Sequence, residues 1–302
     1  MFFKYVNNIN KNNSVAVFDL EDAAFIPFNK KQTDTIKSNL RKEITSILSS
    51  AYFKKQSIGI RINKLSNANF SKDINLLKKF NKKISWSCIF LPKVQNKSQL
   101  IGYIKVLREN EIQFKQVIPI IECQKGMKNL LNILSLKTDS VLNKIAFGHC
   151  DYNLDCKNFP YYHHNSIEYF DVISSLVKLI EANGFEFVNS PFLELDNYDS
   201  FYINLRYLKN ICKNNFSQVT LTLDQTRLCS EFIKSKSKIL IENVKLKSKD
   251  IEDRKIIAKN IISDYLSNLI PGRGFALIKG DRKLISPQEY ISAIIYLKDM
   301  NI

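Results

Sequence analysis

Residues 117–126 read VIPIIECQKG. The run from Val117 to Ile121 is apolar without alternation, ends at the acid Glu122, and meets Gly126 four residues later. A short run of this kind fits a strand buried on both faces, as strands of parallel sheets are. The same pattern recurs along the chain. VAVFDL stands at 15–20, SIGIRIN at 57–63, CIFLP at 88–92, IAFG at 145–148, FEFVN at 185–189 and QVTLTL at 218–223.

Longer amphipathic stretches lie between these runs. Thr33–Leu48 places Ile36, Leu40, Ile44, Ile47 and Leu48 on one helical face. Gln99–Glu109, Met127–Leu136, Ile167–Ala182 and Ser200–Cys212 show similar spacing. Alternating strands and helices predict an α/β fold with right-handed crossovers. The seven runs, with a first strand at Phe2–Val6, make eight, the number of a TIM (β/α)8 barrel. The link Asn7–Ser14 is short for a parallel crossover, which needs about a dozen residues.

Beyond the last run the pattern changes. Asp250–Leu269 reads as a long helix, PGRG at 271–274 as a turn and Phe275–Ile278 as a short strand. Pro287–Leu297 reads as a final helix with Ser286 as its N-cap. This divides the chain into a barrel over 1–233 and a C-terminal helical extension or lid over 234–302.

The 302 residues carry a formal charge of +16, with 45% hydrophobic and 25% charged residues, ordinary globular values apart from the basic excess. Lysine is spread through every segment and clusters such as Lys234, Lys236 and Lys238 are short, which predicts a solvated surface. No aromatic–basic platform points to nucleic acid. No apolar run approaches the roughly 20 residues of a membrane span. Met1–Asn10 is too short and polar for a signal peptide. The six cysteines form no CxxC or zinc-finger spacing, which predicts free thiols and a cytoplasmic protein.

Strand ends carry the chemistry of a barrel. Here they bear Asp19, Glu21 and Asp22, then Arg61 and Asn63, then Pro92 and Lys93, then Glu122, then Gly148 and Asp151. Glu122 and Asp151 are 29 residues apart, about one βα unit, so parallel neighbours would bring both carboxylates to one rim. Two carboxylates completed by water and substrate oxygens suit Mg²⁺. Gly126 and Gly148, two of only eight glycines, flank these acids, where backbone would approach a ligand closely. Arg61 can clamp a substrate carboxylate or pair with the nearby acids. Lys93 adds positive charge to the rim. Asp19, Glu21 and Asp22 would orient Arg61 and the metal's waters, or supply a general acid or base. His149, His163 and His164 lack metal-ligand spacing and are read as solvated or packing residues.

Taken in order, these motifs resemble the HpcH/HpaI aldolase–citrate lyase beta-subunit family. The matching pieces are VFDLEDA at 17–23 with the helix Lys30–Arg41 after it, IRIN at 60–63, FLPKV at 90–94, PIIECQKGMKN at 119–129, FGHCDYNLD at 147–155, NSPFLELDN at 189–197 and GFALIKGDRKLISPQEYISA at 274–293. The resemblance implies a barrel of the phosphoenolpyruvate/pyruvate-binding type. It implies Mg²⁺, or Mn²⁺ in its place, on Glu122 and Asp151, and a 2-oxo or 2-hydroxy acid on Arg61. It implies a carbon–carbon lyase working through an enolate, on a free acid or a CoA thioester, in a homo-oligomer such as a trimer or hexamer. Some positions depart from the family pattern. Ser286 stands where CoA-dependent members carry an acid, with Asp281 the alternative in a shifted register. Thr222–Leu223 replaces an expected His-Pro pair while Gln225 remains, and His149 replaces a small residue. The other reading is a metal- and oxo-acid-binding accessory protein of the same fold without efficient chemistry.

Overall fold

The chain is rich in asparagine, and its helices use it where the first turn leaves backbone N–H groups without partners. Asn29, Asn67, Asn96 and Asn197 each cap a helix through the side chain. The computed structural model describes residues 2–81, 83–136, 140–213, 215–234 and 254–300. Lys236, Lys238 and Asp250 lie outside them. The chain forms two compact units, one of Met1–Ala146 with Gly272–Gly274, the other of Phe147–Pro271 with Phe275–Ile302.

The first unit runs α1 (Phe2–Lys11), β1 (Ala16–Asp19), α2 (Lys30–Leu48), β2 (Ile58–Arg61), α3 (Ala68–Lys78), β3 (Cys88–Leu91), α4 (Lys97–Glu109), β4 (Val117–Ile121), α5 (Gln124–Lys128), α6 (Leu130–Leu134) and β5 (Lys144–Phe147), whose last residue opens the second unit. Its strands lie side by side in chain order. β1, β2, β3 and β4 pair in parallel, with Asp19 beside Arg61 and Arg61 beside Phe90. Ile58, Ile60, Ile89, Leu91, Val117 and Ile121 are fully buried, as unalternating apolar strands require.

The expected first strand, Phe2–Val6, is helix α1. Phe3, Val6 and Ile9 recur at helical spacing, and Val6 is the buried contact. The side chain of Asn10 exchanges hydrogen bonds with Ser57 N (3.0 Å) and Ser57 O (2.9 Å), which docks the helix at the start of β2. The described residues therefore give seven strands alternating with helices, β1 to β7, where eight were expected. The helix expected over Met127–Leu136 breaks at Asn129, whose side chain donates to the Gln95 carbonyl at 2.9 Å.

The second unit runs α7 (His149–Asp155), α8 (Ile167–Ala182), β6 (Glu186–Asn189), α9 (Tyr198–Ile211), β7 (Phe216–Gln218), α10 (Leu223–Lys234), α11 (Arg254–Ser267), β8 (Ala276–Ile278), β9 (Lys283–Ile285) and α12 (Pro287–Asp299). β6 and β7 are parallel, and β8 and β9 form an antiparallel hairpin. β7 ends where the run QVTLTL begins, because Gln225 turns the chain there. Its side chain accepts from Leu221 N (2.9 Å) and donates to Phe192 O (3.3 Å). Asp281 sits exposed in the β8–β9 turn. Ser286 caps α12, its hydroxyl accepting from Glu289 N at 3.0 Å. Among the described residues no helix is long and apolar enough to cross a membrane, and the six cysteines form no disulfide.

Candidate active site

The residues named from the sequence fall in both units. In the first, parallel register sets Asp19 and Arg61 side by side at the strand ends. The guanidinium meets Asp19 in a two-pronged pair, Nε–Oδ1 2.7 Å and Nη2–Oδ2 2.6 Å. Its Nη1 lies 3.1 Å from Glu21 Oε2 and 3.2 Å from Asp22 Oδ2. Burial opposes the charge on Arg61, but Asp19, Asp22 and Glu21 outweigh it and raise the group well above the usual guanidinium value. Asp19 also accepts from Glu21 N (2.9 Å) and Ala23 N (3.0 Å), so it folds the turn that carries the other two acids. Arg61 therefore pairs with the acids, the second of the two roles open to it.

Lys93 links this group to Glu122. Its Nζ is 3.6 Å from Glu21 Oε1, and its backbone N–H donates to Glu122 Oε1 at 2.6 Å. The latter contact comes with a left-handed backbone at Lys93, φ 54, which non-glycine residues rarely adopt outside constrained sites. Glu122 is 3% exposed at the end of β4. Gly126 has a different neighbour from the one expected. A Cβ there would stand 2.6 Å from the Val94 carbonyl oxygen, so its smallness answers backbone packing.

The charge network extends through Asn63 to Lys37 and Asp73, which the sequence reading did not single out. Lys37 is buried, and its ammonium donates to Asn63 Oδ1. Asn63 in turn donates to Leu20 O (3.0 Å) and Asp73 Oδ2 (2.7 Å), and Asp73 pairs with Arg41 at 2.7 Å. Burial lowers Lys37, while Glu21, Asp22, Asp73 and Asp19 pull it back up. The periodicity of α2 pointed to a different face. Its buried stripe is Thr33, Lys37, Ile44 and Leu48, whereas Ile36, Leu40 and Ile47 on the expected face are only half-buried.

In the second unit, Gly148 caps α7 and Asp151 follows in its first turn. Asp151 Oδ2 accepts from Gln288 Nε2 of α12 at 2.9 Å. The three histidines converge here. The His149 ring lies 4.7 Å from His164 and 5.6 Å from His163, and His149 and His164 are buried. His163 Nε2 lies 3.1 Å from Glu289 Oε1. Packing is thus the role of two of them, and solvation of neither. Burial, then the neighbouring His164 and His163, keeps His149 well below the imidazole range. Burial, then His163, lowers His164 to about 3, against a hydrogen bond to the Ser190 carbonyl that favours the charge. Tyr161 is raised by burial first, then by Cys150, Glu289 and Asp151.

Residues 11–216 match the sequence model of HpcH/HpaI aldolase/citrate lyase, about two thirds of the chain. The chain belongs to this family. The HpcH/HpaI family is one of aldolases and lyases, and the chain's fold is found among solved structures bearing such names. RipC from Yersinia pestis is 17% identical, with 74% of this chain and 90% of that one covered and a TM-score of 0.57. A citrate lyase beta subunit from M. tuberculosis, complexed with oxaloacetate and magnesium, is 14% identical over 76% of this chain and 91% of that one, TM-score 0.56. A citrate lyase from Burkholderia xenovorans is 14% identical over 98% and 88%, TM-score 0.60. At these identities the likeness shows the fold, an α/β fold of the TIM-barrel type. Comparison with curated proteins gives no match.

Proposed function

We propose that this HpcH/HpaI-family chain is a Mg²⁺-dependent carbon–carbon lyase or aldolase acting on a small 2-oxo or 2-hydroxy acid, free or as a CoA thioester. One observation carries the reading. The family's acid and arginine motifs fold into an ordered charged cluster, Asp19, Glu21, Asp22, Arg61 and Lys93, tied to the buried carboxylate of Glu122. Charges gathered this closely at strand ends are costly as structure alone and are typical of sites.

Glu122 and Asp151 are the proposed metal ligands, with Mn²⁺ able to replace Mg²⁺. The donor chemistry fits. Both are carboxylates, hard oxygen ligands; Glu122 accepts a hydrogen bond from Lys93 N and Asp151 accepts one from Gln288. Among the described residues no three His, Cys, Asp or Glu side chains form a ready cage, and Mg²⁺ commonly takes one or two carboxylates and keeps its water. When bound, a divalent cation supplies Lewis acidity to a carbonyl oxygen. Arg61 is the proposed contact for the substrate carboxylate, held in orientation by Asp19. Lys93 and Gly148 are proposed to border the cation, and Asp19, Glu21 and Asp22 to organise the site. Neighbouring structures whose names include magnesium with pyruvate, oxaloacetate or acetoacetate support an acid of this size. The functional division is proposed at 233/234, with the C-terminal part as a lid. A homo-oligomer in the cytoplasm is likewise proposed.

Glu122→Gln should lower turnover of pyruvate-, oxaloacetate- or glyoxylate-releasing substrates by about 100-fold or more, the scale of losing a principal electrostatic contact. An unchanged rate in a coupled assay would remove the assignment. The Ser286 position favours the second reading, a binding protein without efficient chemistry. Calorimetry showing Mg²⁺ and oxo-acid binding with no product across a broad panel would favour it.

A further inference from the structure

The segment Pro92–Gln95 follows β3 and is held from several sides, all within the first unit. Val94 N donates to Ile120 O of β4 at 3.3 Å, and Gln95 N donates to Gln99 Oε1 at 2.9 Å. Asn129 Nδ2 donates to Gln95 O at 2.9 Å. One peptide group of this segment, the one joining Pro92 to Lys93, bears directly on Glu122. Its N–H donates to Glu122 Oε1 at 2.6 Å, and its carbonyl accepts from the Tyr103 hydroxyl at 3.0 Å. That hydroxyl in turn accepts from Leu65 N at 2.9 Å. We propose that Tyr103 is a positioning residue of the site: by holding the Pro92 carbonyl it aims the Lys93 N–H at Glu122, and so sets the orientation of that carboxylate toward a divalent cation. This rests on the reading of Glu122 as a metal ligand.

A peptide group is planar and stiff, so whatever fixes its oxygen also fixes the direction of its N–H. A hydrogen bond on the carbonyl polarises the group as well, and strengthens the charge-assisted bond that the N–H gives to a carboxylate. The backbone does not take this course unaided. Lys93 stands in the left-handed region at φ 54, a conformation that a residue with a side chain keeps only where its surroundings over-determine it. Tyr103 is one of those surroundings.

The tyrosine is suited to the task. It is fully buried on α4, and its ring packs edge-on against Phe70 with centroids 5.7 Å apart. Burial above all raises the phenol, so the hydroxyl keeps its hydrogen and donates it. A phenylalanine would fill the same space. What the oxygen adds is its bonds to Pro92 and Leu65, groups that follow β3 and β2. Leu65 lies four residues beyond Arg61, so one buried hydroxyl joins the loop leaving the arginine strand to the peptide that serves Glu122.

The test is calorimetry of Mg²⁺ binding to the full chain, beside urea unfolding of the same proteins. Tyr103→Phe removes the hydroxyl and keeps the ring. It should weaken Mg²⁺ binding about tenfold or more, the scale of losing a group that orients a metal ligand. Ile104→Val trims a buried neighbour on the same helix and measures lost packing alone. It should lower the urea midpoint and leave Mg²⁺ affinity at the wild-type value. Amide exchange at Lys93, followed by NMR, should quicken in Tyr103→Phe and not in Ile104→Val. Should Tyr103→Phe not fold by circular dichroism, Tyr103→Met carries the same expectation. Wild-type Mg²⁺ affinity in the tyrosine variant overturns the proposal and leaves the lyase reading standing, as does an equal loss of affinity in Ile104→Val. A wild-type chain that binds no Mg²⁺ is a different result: it overturns the reading of Glu122, and the positioning role with it.

Discussion

Lys37 shows how much a single buried charge can organise. It is 4% exposed, bonds Asn63, and lies in the field of Glu21, Asp22, Asp73 and Asp19. With Arg61, Arg41 and Lys93 it makes four cations around four carboxylates. Removing one member of such a set leaves the opposite charge buried without compensation. Lys37→Met should therefore cost about 3 kcal/mol despite its apolar replacement, read by urea unfolding. An unchanged midpoint would mean the acids do not depend on it. Arg61, Glu122 and the acids were legible in the sequence because each ends an apolar run. Lys37 and Asp73 were not, since a lysine on a helix is ordinarily a surface residue and nothing in one dimension says which face turns inward.

Among the elements, α12 carries the clearest prediction. Ser286 and Glu289 stand at the N-cap and N3 positions, and Pro287 opens the helix. Ser286→Ala should cost about 1 kcal/mol of stability, while Ser286→Asp, another good N-cap, should keep it. Melting of the two variants beside wild type decides this, and equal losses in both would deny the cap. The helices at α2, α4, α8, α9 and α12 were readable from periodicity and caps, because those signals are local. The terminal segment misread as a strand was not. Five residues with apolar Phe2, Phe3 and Val6 satisfy either period, and the Asn10–Ser57 contact that docks the helix joins residues far apart in sequence.

For the molecule as a whole, pH reports the buried histidines. An unfolded histidine titrates near 6.5, whereas His164 is lowered to about 3 and His149 lies well below its ordinary value. Below about pH 6.5 the unfolded chain binds protons that the folded chain refuses, so stability rises with pH in that window. Unfolding free energy should thus fall as pH drops from 7 toward 4, by about 1.4 kcal/mol per pH unit for each such group. His164→Gln should flatten that slope by about one proton; an identical slope would place His164 in water. Family membership and the alternating α/β architecture were determined by the sequence alone, since strand runs, caps and strand-end acids are short-range patterns. Only tertiary structure decided that Lys37 lies among the acids, that Val94 dictates Gly126, and that three histidines gather with His163 against Glu289. Those facts depend on contacts between segments distant in sequence, and the free energy of a buried charge is set by neighbours that only folding assembles.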